Sequence, residues 1–214
     1  MQIGILGSGL MGGKLGMLFV GARHKVVFSY ARTSRKLNRL ARAAGPNARA
    51  GTPAEAVRDA DTLLLAIHWS RLDDVLRQAG DLSGPTVVTC SLPMNAANTE
   101  LIVAGASSGA EELARRLPAA RIVSAFNTVP SEVLFGVYER RRRTVRPSLV
   151  YYGGDRKAKA TAAQLIRDAG FDPVDAGPLR IARYTEPFAL LVAQLAYAGK
   201  GGPALAYRFE RFAK

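Results

Sequence analysis

Six residues near the start of the chain restrict its fold more than any other feature. The apolar run Ile3-Gly4-Ile5-Leu6 stops at Gly7-Ser8-Gly9-Leu10-Met11-Gly12, after which Leu15, Leu18 and Phe19 recur at helical spacing. This predicts a strand, a tight turn and a helix, with G-x-G-x-x-G placed where a dinucleotide-binding turn requires it. Each glycine has a task in such a turn. Gly7 permits the sharp bend, Gly9 lets a pyrophosphate come close to the backbone, and Gly12 lets the helix pack on the strand. The helix start supplies free N–H donors and partial positive charge. The bland alternative is a glycine turn kept only for packing.

The segments that follow keep alternating. Strands are expected at Lys25–Tyr30, Asp61–Ile67, Thr86–Cys90, Arg121–Ala125, Ser148–Tyr152 and about Asp172–Asp175. Helices are expected at Ser34–Ala44, from the capping box Thr52-Pro53-Ala54-Glu55, at Leu72–Ala79, near Ala110–Leu117 and at Lys157–Ala169. Such a rhythm predicts an α/β fold of Rossmann type, doubly wound around a mainly parallel sheet. Beyond Gly177-Pro178 two helical stretches, Arg180–Ala198 and Pro203–Phe212, are expected on either side of Gly199–Gly202, forming a small C-terminal helical extension. The organisation is thus a domain over residues 1–178 and an extension over 179–214.

The end of the second expected strand bears on which cofactor the turn would hold. Ser29-Tyr30-Ala31-Arg32-Thr33-Ser34-Arg35-Lys36 has no carboxylate to accept from a ribose 2'-hydroxyl. Arg32 offers a planar fork, Thr33 a hydroxyl and Lys36 a cation, a set suited to a 2'-phosphate and hence to NADP(H). The charge of the whole chain points the same way. Its net +13 would suit nucleic acid or an anionic membrane if it were spread out, but residues 1–54 hold nine basic residues and no acidic one. The other excess is the run Arg140–Arg143, which lacks the aromatic interleaving and motifs of a nucleic-acid reader. It reads as a solvated loop or as a device steering an anionic acceptor.

Neither a nucleic-acid nor a membrane partner is therefore expected. The run Leu15–Ala22 is too short to span a bilayer, and a single Cys suits a reducing cytoplasm. No metal-binding or nucleophile motif is present, so neither a metal site nor a catalytic side chain is expected.

The quoted turn, Ser29–Arg32, Ile67-His68-Trp69, Ser91-Leu92-Pro93, Phe126-Asn127-Thr128-Val129-Pro130, Asp175–Pro178 and the Gly199–Gly202 turn together resemble the coenzyme F420-dependent NADP oxidoreductase family. The resemblance implies direct hydride exchange between NADP(H) and F420 in a homodimer whose C-terminal helices help form the second site. Hydride transfer between stacked cofactors asks the protein for orientation and exclusion of water. Ser91, Leu92 and Pro93 would then lie beside the nicotinamide, and the turn with Lys200 and Gly201 would approach the deazaflavin. His68 stands where the family usually has Pro, and Lys200 where it has an apolar residue.

Several residues keep two readings. His68 fits a cofactor contact or a loop hydrogen bond, and Trp69 a cofactor cover or core packing. Asn127 and Thr128 are candidates for orienting the nicotinamide or the acceptor ring. His24 is expected at the surface, and Cys90 as a buried structural thiol. Other functions remain open beside F420 reduction: an NADPH-dependent flavin or ferric reductase, and a non-catalytic NADP(H)-sensing Rossmann protein.

Overall fold

β1 (Gln2–Leu6) lies at the centre of the sheet because its apolar residues are covered on both faces. In the computed structural model, which describes residues 1–212, it pairs in parallel with β2 (Lys25–Ser29) on one side and β4 (Thr62–Leu65) on the other. β3 (Ala48–Ala50) extends the β2 side, while β5 (Thr86–Thr89) and β6 (Arg121–Ser124) extend the β4 side. β7 (Ser148–Gly153) runs antiparallel to β6, and β8 (Asp172–Asp175) closes the sheet parallel to β7. The order 3-2-1-4-5-6-7-8 reverses direction between β1 and β4, and ligands bind at such switch points, outside the carboxyl ends of the strands.

Two layers of helices cover the sheet. One contains α1 (Leu10–Gly21), α2 (Ser34–Ala44), α6 (Leu134–Glu139) and α7 (Arg156–Asp168), packed with Ile5, Phe28, Leu64 and Val123. The other contains α3 (Pro53–Arg58), α4 (Leu72–Ala79) and α5 (Gly109–Arg116), packed with Leu63, Leu65, Val87 and Ile122. The alternation of Leu63, Leu64 and Leu65 between the layers is the period of a strand buried on both sides. The capping box expected before α3 is formed, with Thr52 N donating to Glu55 Oε2 at 2.7 Å and Glu55 N to Thr52 Oγ1 at 3.2 Å.

The C-terminal region departs from expectation. α8 (Ala182–Tyr197) forms, but residues 203–212 are not helical. They run beside β7, where Ser148 N donates to Tyr207 O at 2.8 Å and Val150 N to Tyr207 Oη at 3.2 Å. β7 pairs with β6 only at Tyr152 and Gly153, so the N–H groups of Ser148 and Val150 need other partners. Tyr207 satisfies both and packs edge-on against Phe188 of α8, centroids 5.2 Å apart. Residues 213–214 of the expected extension lie outside the described residues.

α8 lies along the carboxyl edge of the sheet and is tied down at both ends. Glu186, only 1% exposed, accepts from Gly109 N at 2.8 Å and Ala110 N at 3.0 Å, completing the start of α5. Tyr197 donates to Glu132 at 2.9 Å. Among the described residues no helix is long and apolar enough to cross a membrane.

Candidate dinucleotide cleft

The sheet edge at the switch point opens into a cleft of about 1030 Å³. Gly7–Leu10 form its head. Tyr30–Arg32 and the α2 residues Ser34 and Lys36–Asn38 form one wall, Ala50–Pro53 with Glu55 the floor, and Ala66–His68 with Arg71, Asp74 and Gln78 the other wall.

The three motif glycines have different causes. Gly7 has φ +110°, and a Cβ there would lie 2.3 Å from Ala66 O. A Cβ on Gly12 would lie 2.0 Å from Gly7 O. A Cβ on Gly9 would meet no atom within 4 Å, so nothing inside the protein requires glycine at that point. Gly9 is also the N-cap of α1 and provides no side-chain cap, whereas α2, α3, α5 and α7 begin under Thr33, Thr52, Ser108 and Asp155. The first turn of α1 therefore presents uncapped N–H groups to a space that has been kept open.

Ser8 serves the turn from within. It is fully buried, its Oγ donates to Ser29 O at 2.8 Å, and its N–H reaches both Ser29 O and Tyr30 O. Leu10 lies exposed at the cleft head, while Met11 and Gly12 stand behind it, Met11 packed against the α1 core. Arg32 and Lys36 line the α2 wall; Thr33 starts α2, its Oγ1 accepting from Lys36 N. Two carboxylates that the β2 segment lacks enter from elsewhere. Glu55 is held in its capping box, and Asp74 accepts from Tyr30 Oη at 2.6 Å, from Gln78 and from Arg77. These hydrogen bonds hold the Asp74 carboxyl below its usual range, and burial with the same bond pushes the Tyr30 phenol up to about 12.

Of the remaining candidates, Ile67 and His68 line the cleft. His68 is held as a loop residue: Nδ1 accepts from Ser70 N at 3.3 Å, and Nε2 lies 3.2 Å from Asn95 O. Trp69 packs on the layer of α3, α4 and α5, with the Arg116 guanidinium 6.0 Å from its ring centre. Ser91 is buried and clips two strand ends, donating to Leu65 O and accepting from Ile67 N. Leu92 and Pro93 follow it, Pro93 against Gly109 at the start of α5. Thr128 is fully buried and its hydroxyl meets Tyr207 Oη at 2.7 Å, so it serves the C-terminal segment. Asn127 donates to Tyr152 Oη at 2.9 Å and Ser124 Oγ at 3.3 Å, while its buried Oδ1 has no partner. Lys200 and Gly201 are exposed in the turn after α8 and do not line the cleft.

His24, expected at the surface, is instead 8% exposed, with Nε2 2.9 Å from Asp168 of α7, because the turn after α1 packs its ring edge-on against Phe19. Burial pushes the Cys90 thiol up to about 12, which keeps it protonated and unreactive. Among the described residues no group of three or more His, Cys, Asp or Glu converges as metal ligands would. The Arg140–Arg143 run follows α6, whose Tyr138 packs against Gly21 at the far end of α1. A 12-residue helix is about 18 Å long, beyond a Debye length at physiological salt, so this run is badly placed to steer a ligand into the cleft.

Comparison with known proteins gives a family match over part of the chain and fold neighbours over nearly all of it. Residues 2–93 match the family model described as NADP oxidoreductase, coenzyme F420-dependent. The chain is 29% identical over 189 residues to the metalloreductase STEAP3 of Rattus norvegicus, covering 88% of this chain and 36% of the relative, so it spans about a third of that protein's length. Its fold is similar to that of a proposed F420-dependent NADP-reductase from Arthrobacter sp. FB24, with TM-score 0.86, 22% identity and coverage of 99% and 100% of the two chains. It is also similar to a hypothetical protein from Sinorhizobium meliloti, with TM-score 0.75, 26% identity and coverage of 98% and 96%. A reductive aminase from Aspergillus terreus, solved with NADPH and ethyl-5-oxohexanoate, matches at TM-score 0.66 and 18% identity over 90% of this chain and 60% of that one. The resemblance read in the sequence thus holds over residues 2–93, and the Rossmann fold over nearly the whole chain. What the comparisons give is therefore similarity: of residues 2–93 to NADP oxidoreductases and of most of the chain to part of a metalloreductase.

Proposed function

We propose, from the match of residues 2–93 to the F420-dependent NADP oxidoreductases, that this chain binds NADP(H) in the cleft and passes hydride between it and coenzyme F420. The observation that carries the reading is the uncapped start of α1 at Gly9, open to the cleft and flanked by Arg32 and Lys36. The N–H groups of the first α1 turn would hold the pyrophosphate, and Arg32 and Lys36 a 2'-phosphate. When bound, NADPH supplies a hydride with its two electrons, and the acceptor takes up one proton from solvent. The role of the chain is positional. Ser91 and Asn127 keep the strand ends ordered beneath the ring site, and α8 shields that edge from water.

A second reading has an observation of its own. The similarity to a metalloreductase favours an NADPH-dependent ferric or flavin reductase. One experiment separates the two: NADPH absorbance at 340 nm is followed with F420, FMN, FAD and a ferric chelate offered separately. Consumption with F420 alone is expected. Consumption only with flavin or iron favours the second reading, and consumption with none overturns both.

The same reading carries a homodimer working in a reducing cytoplasm. Tyr184, Leu191 and Leu195 on the outer face of α8 are each more than half exposed, and a second copy would cover them. A single monomeric species for the wild type in sedimentation equilibrium would contradict the dimer.

A further inference from the structure

We propose that Asp74 reads the 6-amino group of adenine and makes the cleft selective for adenine dinucleotides. This rests on the NADP(H) reading above. The cleft has two unlike walls, a cationic one with Arg32 and Lys36 and another formed by Arg71, Asp74 and Gln78. With the pyrophosphate at the α1 start and the 2'-phosphate on the cationic wall, the base is left facing Asp74.

Asp74 is built as a fixed acceptor. Its side chain is 34% exposed, on the cleft side of α4. Oδ2 accepts from Tyr30 Oη at 2.6 Å and Gln78 Nε2 at 3.1 Å, and Oδ1 accepts from Arg77. A carboxylate has about four acceptor positions, so capacity remains for one more donor. All three partners donate, which keeps the group ionised and in place.

Tyr30 holds this arrangement at some cost. Its φ of +52° lies in the left-handed region that an aromatic residue rarely occupies. In that conformation its carbonyl accepts from Ser8 N at 3.1 Å while its hydroxyl reaches Asp74. One residue therefore couples the phosphate turn to the base wall. Tyr30 and Gln78 are positioning residues, and Asp74 is the residue that would touch the base.

The 6-amino group of adenine donates, and hypoxanthine carries a carbonyl oxygen at that position. A carboxylate attracts the first and repels the second, the combination that gives selectivity. The probe is the hypoxanthine analogue of NADPH, with binding of both dinucleotides measured by nicotinamide fluorescence. The wild type is expected to bind NADPH about tenfold or more tightly than the analogue. Asp74→Asn presents both a donor and an acceptor and should bring the ratio close to one, leaving the NADPH/NADH preference unchanged. Tyr30→Phe, which keeps the carboxylate but loosens it, should give an intermediate ratio.

Equal binding of the two dinucleotides by the wild type would overturn the assignment while leaving the NADP(H) reading intact. A preference that survives in Asp74→Asn would also overturn it, as would an Asp74→Asn effect on NADPH against NADH. Failure of the wild type to bind either dinucleotide would overturn both the assignment and the reading it rests on.

Discussion

Ser8 is joined to Ser29 twice, by its hydroxyl at 2.8 Å and by its N–H at 3.2 Å. The bonds fasten the glycine turn to the neighbouring strand and commit the Ser8 N–H inward. The donors left for a ligand are those of the first α1 turn. This division of labour explains why a turn of six residues can be both anchored and open at its tip.

Gly9→Ala and Gly12→Ala should therefore fail in different ways. At Gly9, φ is −76° and the added methyl meets only open space, so stability should stay within about 1 kcal/mol of wild type while NADPH affinity falls about tenfold or more. At Gly12 the methyl would strike Gly7 O, at a cost of about 2 kcal/mol or more in unfolding free energy. Urea denaturation and a fluorescence titration of each variant distinguish the two.

Arg32→Ala should lower the NADPH/NADH affinity ratio about tenfold to a hundredfold, the range for a lost charge-assisted bond. Affinity for NADH should barely change. A matched loss for both cofactors would assign Arg32 to the base or the pyrophosphate instead.

Burial raises the Glu186 carboxyl from 4.5 to about 7, against the opposing pull of the Gly109 and Ala110 N–H groups. The folded chain then holds a proton that the unfolded chain has already released between these values. Stability from this group is full below about pH 4.5 and is lost as pH rises through about 7, a slope worth about 3 kcal/mol in total. Glu186→Gln should flatten the decline between pH 5 and pH 8 in urea denaturation. An unchanged slope in the variant would place the decline elsewhere.

Tyr207→Phe removes the partner of Thr128 Oγ1 and of Val150 N, both inside the structure. A loss of about 1–3 kcal/mol in stability is expected with NADPH affinity unaltered. Weaker NADPH binding at unchanged stability would return Thr128 to the cofactor site.

The residues that were legible in the sequence are those governed by local rules. The glycine turn, the Thr52–Glu55 capping box and the apolar β4 each follow from neighbours a few positions away. β3, Ala48-Arg49-Ala50, is too short for its alternation to carry a signal, and it exists because β2 offers it an edge. Residues 203–212 have helical spacing, but the unpaired half of β7 recruits Tyr207 and draws the segment out. In the site the same division holds. Arg32 and Lys36 could be found from their position after β2, whereas Asp74 lies 44 residues beyond Tyr30 and carries no signal until α4 folds against the cleft. Thr128 and Ser91 sit at strand ends where ligands bind, yet their hydroxyls are spent inside the protein.

The proposed function requires that the open start of α1 and the cations beside it hold NADP(H). Titration calorimetry of the wild type with NADPH and with NADH in the same buffer tests it directly. One site per chain and NADPH binding about tenfold or more tighter than NADH are expected. No heat with either dinucleotide, or equal affinity for both, would contradict it.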